Sequence, residues 1–186
     1  MDDRPRLLFV RTANQGRSPV AEAILRGKLA DRGSDGDVVV SSAGLMEAGA
    51  PASAPVVDAA RRRGGDLGAH RSRRLTATLV DQSDVVICLA REHARAVVEL
   101  CEEAGGRTFT LKELVRHVEA LGPRRRGQAL TDYLARHAAP RARPGGGAPC
   151  GDDDVADPYG RPISALGETA DEISELLDRL VSHLWP

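Results

Sequence analysis

The residues best suited to chemistry lie in one short polar segment near the start of the chain. Residues 11–18 read Arg-Thr-Ala-Asn-Gln-Gly-Arg-Ser and directly follow the apolar run 6–10. A polar loop between the carboxyl end of a strand and the start of a helix offers free backbone N–H groups and the positive end of the helix dipole. The segment has neither the glycine and lysine of a Walker loop nor the GxGxxG spacing. Its position therefore predicts an anion-binding loop of another kind.

Two side chains of this segment lie where a helix is expected to begin. Arg17 is a cation at a helix N-terminus, which opposes the dipole unless an anion is bound, so its presence favours an anion site. Ser18 precedes Pro19 and a run with helical periodicity, and we interpret it as the helix cap.

Metal chemistry is not predicted anywhere in the chain. The acidic run 152–154 has no histidine or glutamate at ligand spacing, so we expect a solvated charged run. His70 and His93 also lack a second ligand and are predicted to be structural or surface residues. No cofactor is expected.

Short apolar runs alternate with helical patterns along the chain. The predicted strands are 6–10, 38–40, 84–89 and 107–111, and the predicted helices are 18–29, 54–63, 75–82, 92–104, 112–121, 128–137 and 168–184. Such alternation is typical of a doubly wound α/β domain with a four-stranded parallel sheet flanked by helices. We expect one domain over 1–186, with a variable insertion at about 122–151 that is mobile after Ala138.

Composition limits the classes of partner. There are 26 basic and 27 acidic residues, a net charge of −1 and 3% aromatic residues, so neither a nucleic acid nor a membrane is a predicted partner. The apolar run at the N-terminus is too short for a signal peptide. Cys88, Cys101 and Cys150 have no CxxC spacing, which fits a reducing cytoplasm.

The segment 8–23 resembles the signature of low-molecular-weight protein tyrosine phosphatases, CxxxxxR followed by Ser-Pro and Ala-Glu. It reads Leu-Phe-Val-Arg-Thr-Ala-Asn-Gln-Gly-Arg-Ser-Pro-Val-Ala-Glu-Ala. The resemblance continues through 42–44, 70–76 and 157–159, and so covers nearly the whole chain. It implies that family's α/β fold and a site for a phosphate carried by a protein or a small molecule.

The resemblance also implies roles for individual residues. Arg17 matches the arginine that binds phosphate, and Asn14 matches the asparagine whose side chain shapes the loop. Ser18 matches the hydroxyl that bonds the thiolate, Asp157 the general acid, and Tyr159 the aromatic wall beside the substrate ring. The phosphate-binding set implied by the family is Thr12, Ala13, Asn14, Gln15, Gly16, Arg17 and Ser18.

The nucleophile does not match, because Arg11 stands where the family has its cysteine. Gly16 likewise stands where many members have a second, protecting cysteine. An arginine cannot deprotonate at working pH, so it can neither attack phosphorus nor act as a base. We expect Arg11 either to share a bound anion with Arg17, the favoured arrangement, or to swing towards Asp157.

The resulting prediction is a degenerate phosphatase that binds a phosphate group without covalent hydrolysis. One alternative is an active phosphatase for phosphotyrosine, phosphoarginine or a small phosphorylated metabolite that uses another nucleophile. Cys150 is the candidate for that role, whereas Cys88 should be an inert core thiol. The other alternative is a structural or interaction protein with a collapsed site. The oligomeric state is not predicted.

Overall fold

A four-stranded parallel sheet lies at the centre of the computed structural model, which describes residues 4–135 and 153–186. The strands, in chain order, are β1 (Arg6–Arg11), β2 (Val39–Gly44), β3 (Val85–Cys88) and β4 (Thr108–Thr110). Their order in the sheet is β2-β1-β3-β4, and all neighbouring pairs are parallel. The predicted fold class is therefore confirmed. After β1 the chain adds β2 on one side of β1 and then β3 on the other side. This reversal of direction creates a topological switch point at the carboxyl end of β1.

Helices cover both faces of the sheet. They are α1 (Arg17–Asp31), α2 (Ala54–Arg61), α3 (Ala77–Asp81), α4 (Arg91–Leu100), α5 (Leu111–Leu121), α6 (Leu130–Ala135) and α7 (Ile163–Leu184). The sheet strands are apolar on both faces because alternate residues enter two different cores. Leu7 and Phe9 pack in the larger core with α1, α5 and α7, whereas Leu8 and Val10 pack in the smaller core against α4.

Several predicted boundaries are wrong. Helix α4 ends at Leu100, and a 3-10 helix (Glu102–Arg107) replaces its predicted last turn. The last helix begins at Ile163, five residues before its prediction at Glu168, because the turn at 158–161 and Pro162 already start it. The predicted mobility after Ala138 concerns residues outside the described part of the chain. The single-domain assignment stays a prediction.

None of the described helices combines the length and the apolar composition that crossing a membrane would need.

Candidate anion-binding site

The loop between β1 and α1 forms the base of the site. Within the described chain, no backbone N–H group from Thr12 to Arg17 donates a hydrogen bond to another residue. Helix α1 begins without a side-chain cap, since its N-cap residue is Gly16. The free N–H groups and the start of a 15-residue helix therefore meet at the switch point of the sheet, where an anion is stabilised.

Asn14 holds the loop in its shape. It has φ of 52° and is the only non-glycine residue in the described chain with positive φ, a region that asparagine tolerates. Its side chain is 1% exposed. Its Nδ2 donates to Oγ of Ser42 at 2.7 Å and to Oγ of Ser18 at 3.1 Å, while its Oδ1 accepts from the backbone N–H of Arg73 at 2.8 Å. Both N–H donors and the carbonyl oxygen of this buried amide are thus used.

Two further residues brace Asn14, and sequence reasoning missed both roles. Nε2 of His70 lies 2.8 Å from the carbonyl oxygen of Asn14. Arg73 supplies the backbone N–H described above, and its guanidinium donates to the carbonyl of Ser42. The segment 70–73 therefore forms the back wall of the loop. No local pattern in the sequence signals this, since the contacts span more than 50 residues.

Ser18 does not cap the helix, so that interpretation was wrong. It lies in the first turn of α1, which already begins at Arg17, and its fully buried hydroxyl accepts from Asn14 instead. The helix starts one residue earlier than predicted because Gly16 serves as the N-cap.

Arg17 points from α1 into the site and is 4% exposed. Its Nη1 donates to the carbonyl oxygen of Val155, and its Nη2 lies 2.6 Å from Oδ2 of Asp157. Its Nε is buried and has no partner among the described residues.

Arg11 is the last residue of β1 and enters the same site from the sheet. Its side chain is 11% exposed, and its Nη2 lies 2.8 Å from the same carboxylate oxygen, Oδ2 of Asp157. Its buried Nε, like that of Arg17, has no partner in the described chain. Of the two arrangements expected for Arg11, the structure has the swing towards Asp157.

Asp157 is held in its ionised form. Burial by itself would raise the pKa of this carboxyl group, but the backbone N–H of Tyr159 and the charges of Arg11 and Arg17 together lower the pKa below its usual value. The carboxylate therefore balances one of the two guanidinium charges at neutral pH. A group in this state accepts hydrogen bonds and has no proton to donate.

Thr12 and His93 form a second contact under the loop that the sequence did not reveal. Oγ1 of Thr12 lies 3.0 Å from Nε2 of His93, a residue with no exposed surface whose Nδ1 has no described partner. Burial, followed by the charges of Arg17 and Arg11, lowers the pKa of His93 to about 4. The imidazole is thus neutral at physiological pH.

A cavity of about 1080 Å³ opens in front of the loop. Thr12, Ala13, Gln15 and Gly16 line its base together with the two arginines. Its outer wall is mostly apolar and includes Met46, Pro51, Pro55, Val56, Tyr159 and Ile163. Tyr159 is 89% exposed, so its ring stands at the mouth of the cavity and is largely free.

Among the described residues, none that lines the cavity is a cysteine, and no three potential metal ligands lie together. Cys88 is fully buried in the smaller core, and burial raises its pKa, as expected of an inert thiol. Cys150 lies outside the described residues.

The acidic run 152–154 is not simply solvated, so that prediction was wrong for its described part. Asp153 is 16% exposed and pairs with Arg116, and Asp154 accepts from the backbone N–H of Arg91 at 2.8 Å. These two carboxylates fix the segment that leads to Val155 and Asp157.

Comparisons with known proteins agree with this geometry. A family model described as low molecular weight phosphotyrosine protein phosphatase matches residues 6–129. A protein-arginine-phosphatase of Geobacillus stearothermophilus is 31% identical over 180 residues, which cover 96% of this chain and 95% of that protein. The low molecular weight protein-tyrosine-phosphatase Etp of Escherichia coli K12 is 32% identical over 129 residues, or 69% of this chain and 83% of that protein.

Solved structures extend the likeness to the fold. The crystal structure of a low molecular weight protein tyrosine phosphatase from T. tengcongensis superposes with a TM-score of 0.72 at 31% identity, and the match covers 97% of this chain and 99% of that one.

Proposed function

The chain belongs to the low molecular weight phosphotyrosine protein phosphatase family, and from that premise we propose that it is a degenerate member that binds phosphate groups without hydrolysing them. In this proposal Arg11 occupies the position of the family's nucleophile. Arg17 and the N–H groups of the loop hold the phosphate oxygens, and Tyr159 contacts the group that carries the phosphate.

The guanidinium of Arg11 at the base of the cavity is the observation that carries the proposal. An arginine side chain stays protonated and cannot form a phosphoenzyme. Loss of a covalent nucleophile in a well-studied protease lowers turnover by about a million-fold, and we expect a similar scale here. The same guanidinium adds positive charge and an unpaired Nε to a loop that already offers free N–H groups. The change therefore removes catalysis and keeps anion binding.

The ligand in this proposal is a phosphate-bearing protein or small molecule in the cytoplasm. The names of the relatives point to two chemistries, phosphoarginine and phosphotyrosine. The cytoplasmic location rests on the unpaired spacing of the cysteines.

A specific observation favours one alternative, a structural or interaction protein with a collapsed site. Asp157 already accepts from both arginines, so the carboxylate fills part of the place that a phosphate would take. In the proposed function phosphate displaces this carboxylate, whereas in the alternative it does not.

A phosphate titration followed by thermal unfolding tests the proposal. Stability should rise with phosphate concentration by mass action, and Arg17→Ala should abolish the rise. Arg61→Ala is the matched control, because Arg61 is exposed and pairs only with Asp58 on α2. A thermal stability that does not change with phosphate in the unmodified protein would favour the alternative with a collapsed site.

The same samples should not hydrolyse p-nitrophenyl phosphate. Turnover that iodoacetamide abolishes would contradict the proposal and would point to a thiol such as Cys150.

A further inference from the structure

A second cavity, of about 590 Å³, lies between α1, β2 and the segment 64–73. It shares no lining residue with the cavity in front of the loop. Its size falls within the range of small-molecule sites, roughly 300 to 1,000 Å³. Its lining combines apolar residues with a basic rim of three exposed arginines, Arg26, Arg71 and Arg73. This cavity is therefore a separate candidate for ligand binding.

The β2 side of this cavity offers hydrogen-bond donors and few acceptors. Strand β2 is at the edge of the sheet. The backbone N–H groups of Val39 and of Leu45, the residue after β2, point towards β1 and donate to the carbonyls of Pro5 and Arg11. The backbone N–H and C=O groups of residues 40 and 42 therefore point away from β1, since alternate residues of a strand form their hydrogen bonds on opposite sides of it. Arg26 donates to the carbonyl of Val40, and Arg73 donates to that of Ser42. These outward carbonyls are already occupied.

The outward backbone N–H of Ser42, by contrast, donates to no described residue. Ser42 is 4% exposed and lines the cavity. A buried N–H group without an acceptor is costly, and an acceptor atom of a ligand would satisfy it. An added peptide strand would fit poorly here, because it would need the carbonyls that the arginines occupy.

The charged groups of the rim also favour a ligand that accepts hydrogen bonds. Three guanidinium groups line the cavity, those of Arg26, Arg71 and Arg73, against two carboxylates. Glu22 pairs with Arg26 at 2.9 Å, and Asp66 accepts from the N–H of Gly68 at 2.8 Å. Arg71 is exposed, and its only hydrogen bond within the described chain is from Nη1 to the carbonyl of His70. The rim therefore keeps a net positive charge and several free N–H donors.

We propose that this cavity binds a small organic anion through its oxyanion group, a carboxylate or a phosphate. The oxyanion accepts from the N–H of Ser42 and from the guanidinium of Arg71. The apolar part of the ligand contacts the apolar lining residues Ala23, Ala30, Leu67 and Ala69. This site uses none of the residues assigned to phosphate binding in the loop. Its link to that loop is structural, since Oγ of Ser42 accepts from Asn14.

A titration followed residue by residue through backbone amide NMR signals tests this site. With citrate and, separately, pyrophosphate as probes, the amide signals of Ser42, Leu67 and Arg71 should shift in a saturable way. Arg71→Gln should weaken the affinity derived from these signals at least fivefold. Arg74→Gln is the matched control, because Arg74 directly follows the same segment and is also exposed, but does not line the cavity.

The two probes and the two sites give separable outcomes. Response to citrate but not pyrophosphate would identify a carboxylate ligand, and the reverse a phosphate ligand. Shifts confined to the amides 12–17, or an affinity unchanged in Arg71→Gln, would overturn the second site. Failure of the amides 12–17 to respond to phosphate would count against the proposed function alone.

Discussion

Nη2 of Arg11 and Oδ2 of Asp157 lie 2.8 Å apart, so an ion pair joins the end of β1 to the segment that precedes α7, 146 residues later. Asp157 thereby accepts from both guanidinium groups that the proposed function assigns to the phosphate site. If the proposal holds, the carboxylate of Asp157 and an external phosphate compete for these two groups.

Replacement of Asp157 by asparagine should therefore increase the affinity for phosphate. The variant removes one negative charge within contact distance of both arginines, and we expect a gain of about tenfold, or about 1.4 kcal/mol. Isothermal titration with inorganic phosphate at pH 7 measures it. Asp178→Asn, which alters an exposed pair with Lys28 elsewhere, should bind like the unmodified protein. Weaker binding in Asp157→Asn would show that the carboxylate supports the site and does not compete.

Arg11→Cys should create measurable hydrolysis of p-nitrophenyl phosphate. A thiol at position 11 would lie beside Arg17 and close to the N-terminus of α1. Its pKa should therefore be lowered, and it should attack as a thiolate near neutral pH. The change also removes one of the charges that lower the pKa of Asp157, which brings this carboxyl closer to a proton donor.

Two controls make this test specific. Arg11→Ala removes the same guanidinium but supplies no thiol, and should stay inactive. Asp157→Asn in the Arg11→Cys background should slow hydrolysis by about a hundredfold, the scale of lost general acid catalysis. An Arg11→Cys protein that folds and binds phosphate but stays inert would mean that the other groups are not arranged for catalysis.

The free energy of unfolding should decrease as the pH is lowered through a range set by His93. The folded chain lowers the pKa of this residue to about 4, whereas an unfolded histidine titrates near pH 6.5. Between these values the unfolded chain binds a proton that the folded chain excludes, so the free energy of unfolding decreases as pH falls from 6.5 to 4.

Urea unfolding at pH 7 and at pH 4.5 measures this effect. His93→Gln should lose less stability between the two values than the unmodified protein, because no imidazole is left to titrate. His183→Gln, at a half-buried histidine whose imidazole hydrogen-bonds only within α7 among the described residues, should behave like the unmodified protein. Equal losses in all three proteins would place the acid sensitivity elsewhere.

The loop should depend on both the backbone and the side chain of Asn14. Asn14→Ala loses three buried hydrogen bonds, each worth about 1 kcal/mol, and puts alanine at a φ of 52°, so we expect a loss of about 3 kcal/mol or more in thermal unfolding. Asn14→Gly tolerates this φ and isolates the cost of the bonds. If alanine and glycine are equally destabilising, the backbone conformation contributes nothing.

Local features of this chain could be predicted well from its sequence. The buried strand 6–10, the polar loop and the following helix are adjacent in the chain, and their apolar spacing reflects their burial directly. The roles of His70 and His93 could not be predicted in this way. Their contacts with the loop span 56 and 81 residues, and no periodicity encodes which distant side chains a topology brings together. The role expected for Asp157 likewise came from resemblance alone.

The lack of a side chain at Gly16 bears on where the guanidinium of Arg11 can lie. A Cβ added there would lie 3.2 Å from Nη1 of Arg11, closer than an ordinary contact. A side chain at position 16 would therefore require the end of Arg11 to move by a few tenths of an ångström. The two positions are thus coupled through shared space, and a substitution at 16 would change the site by way of Arg11.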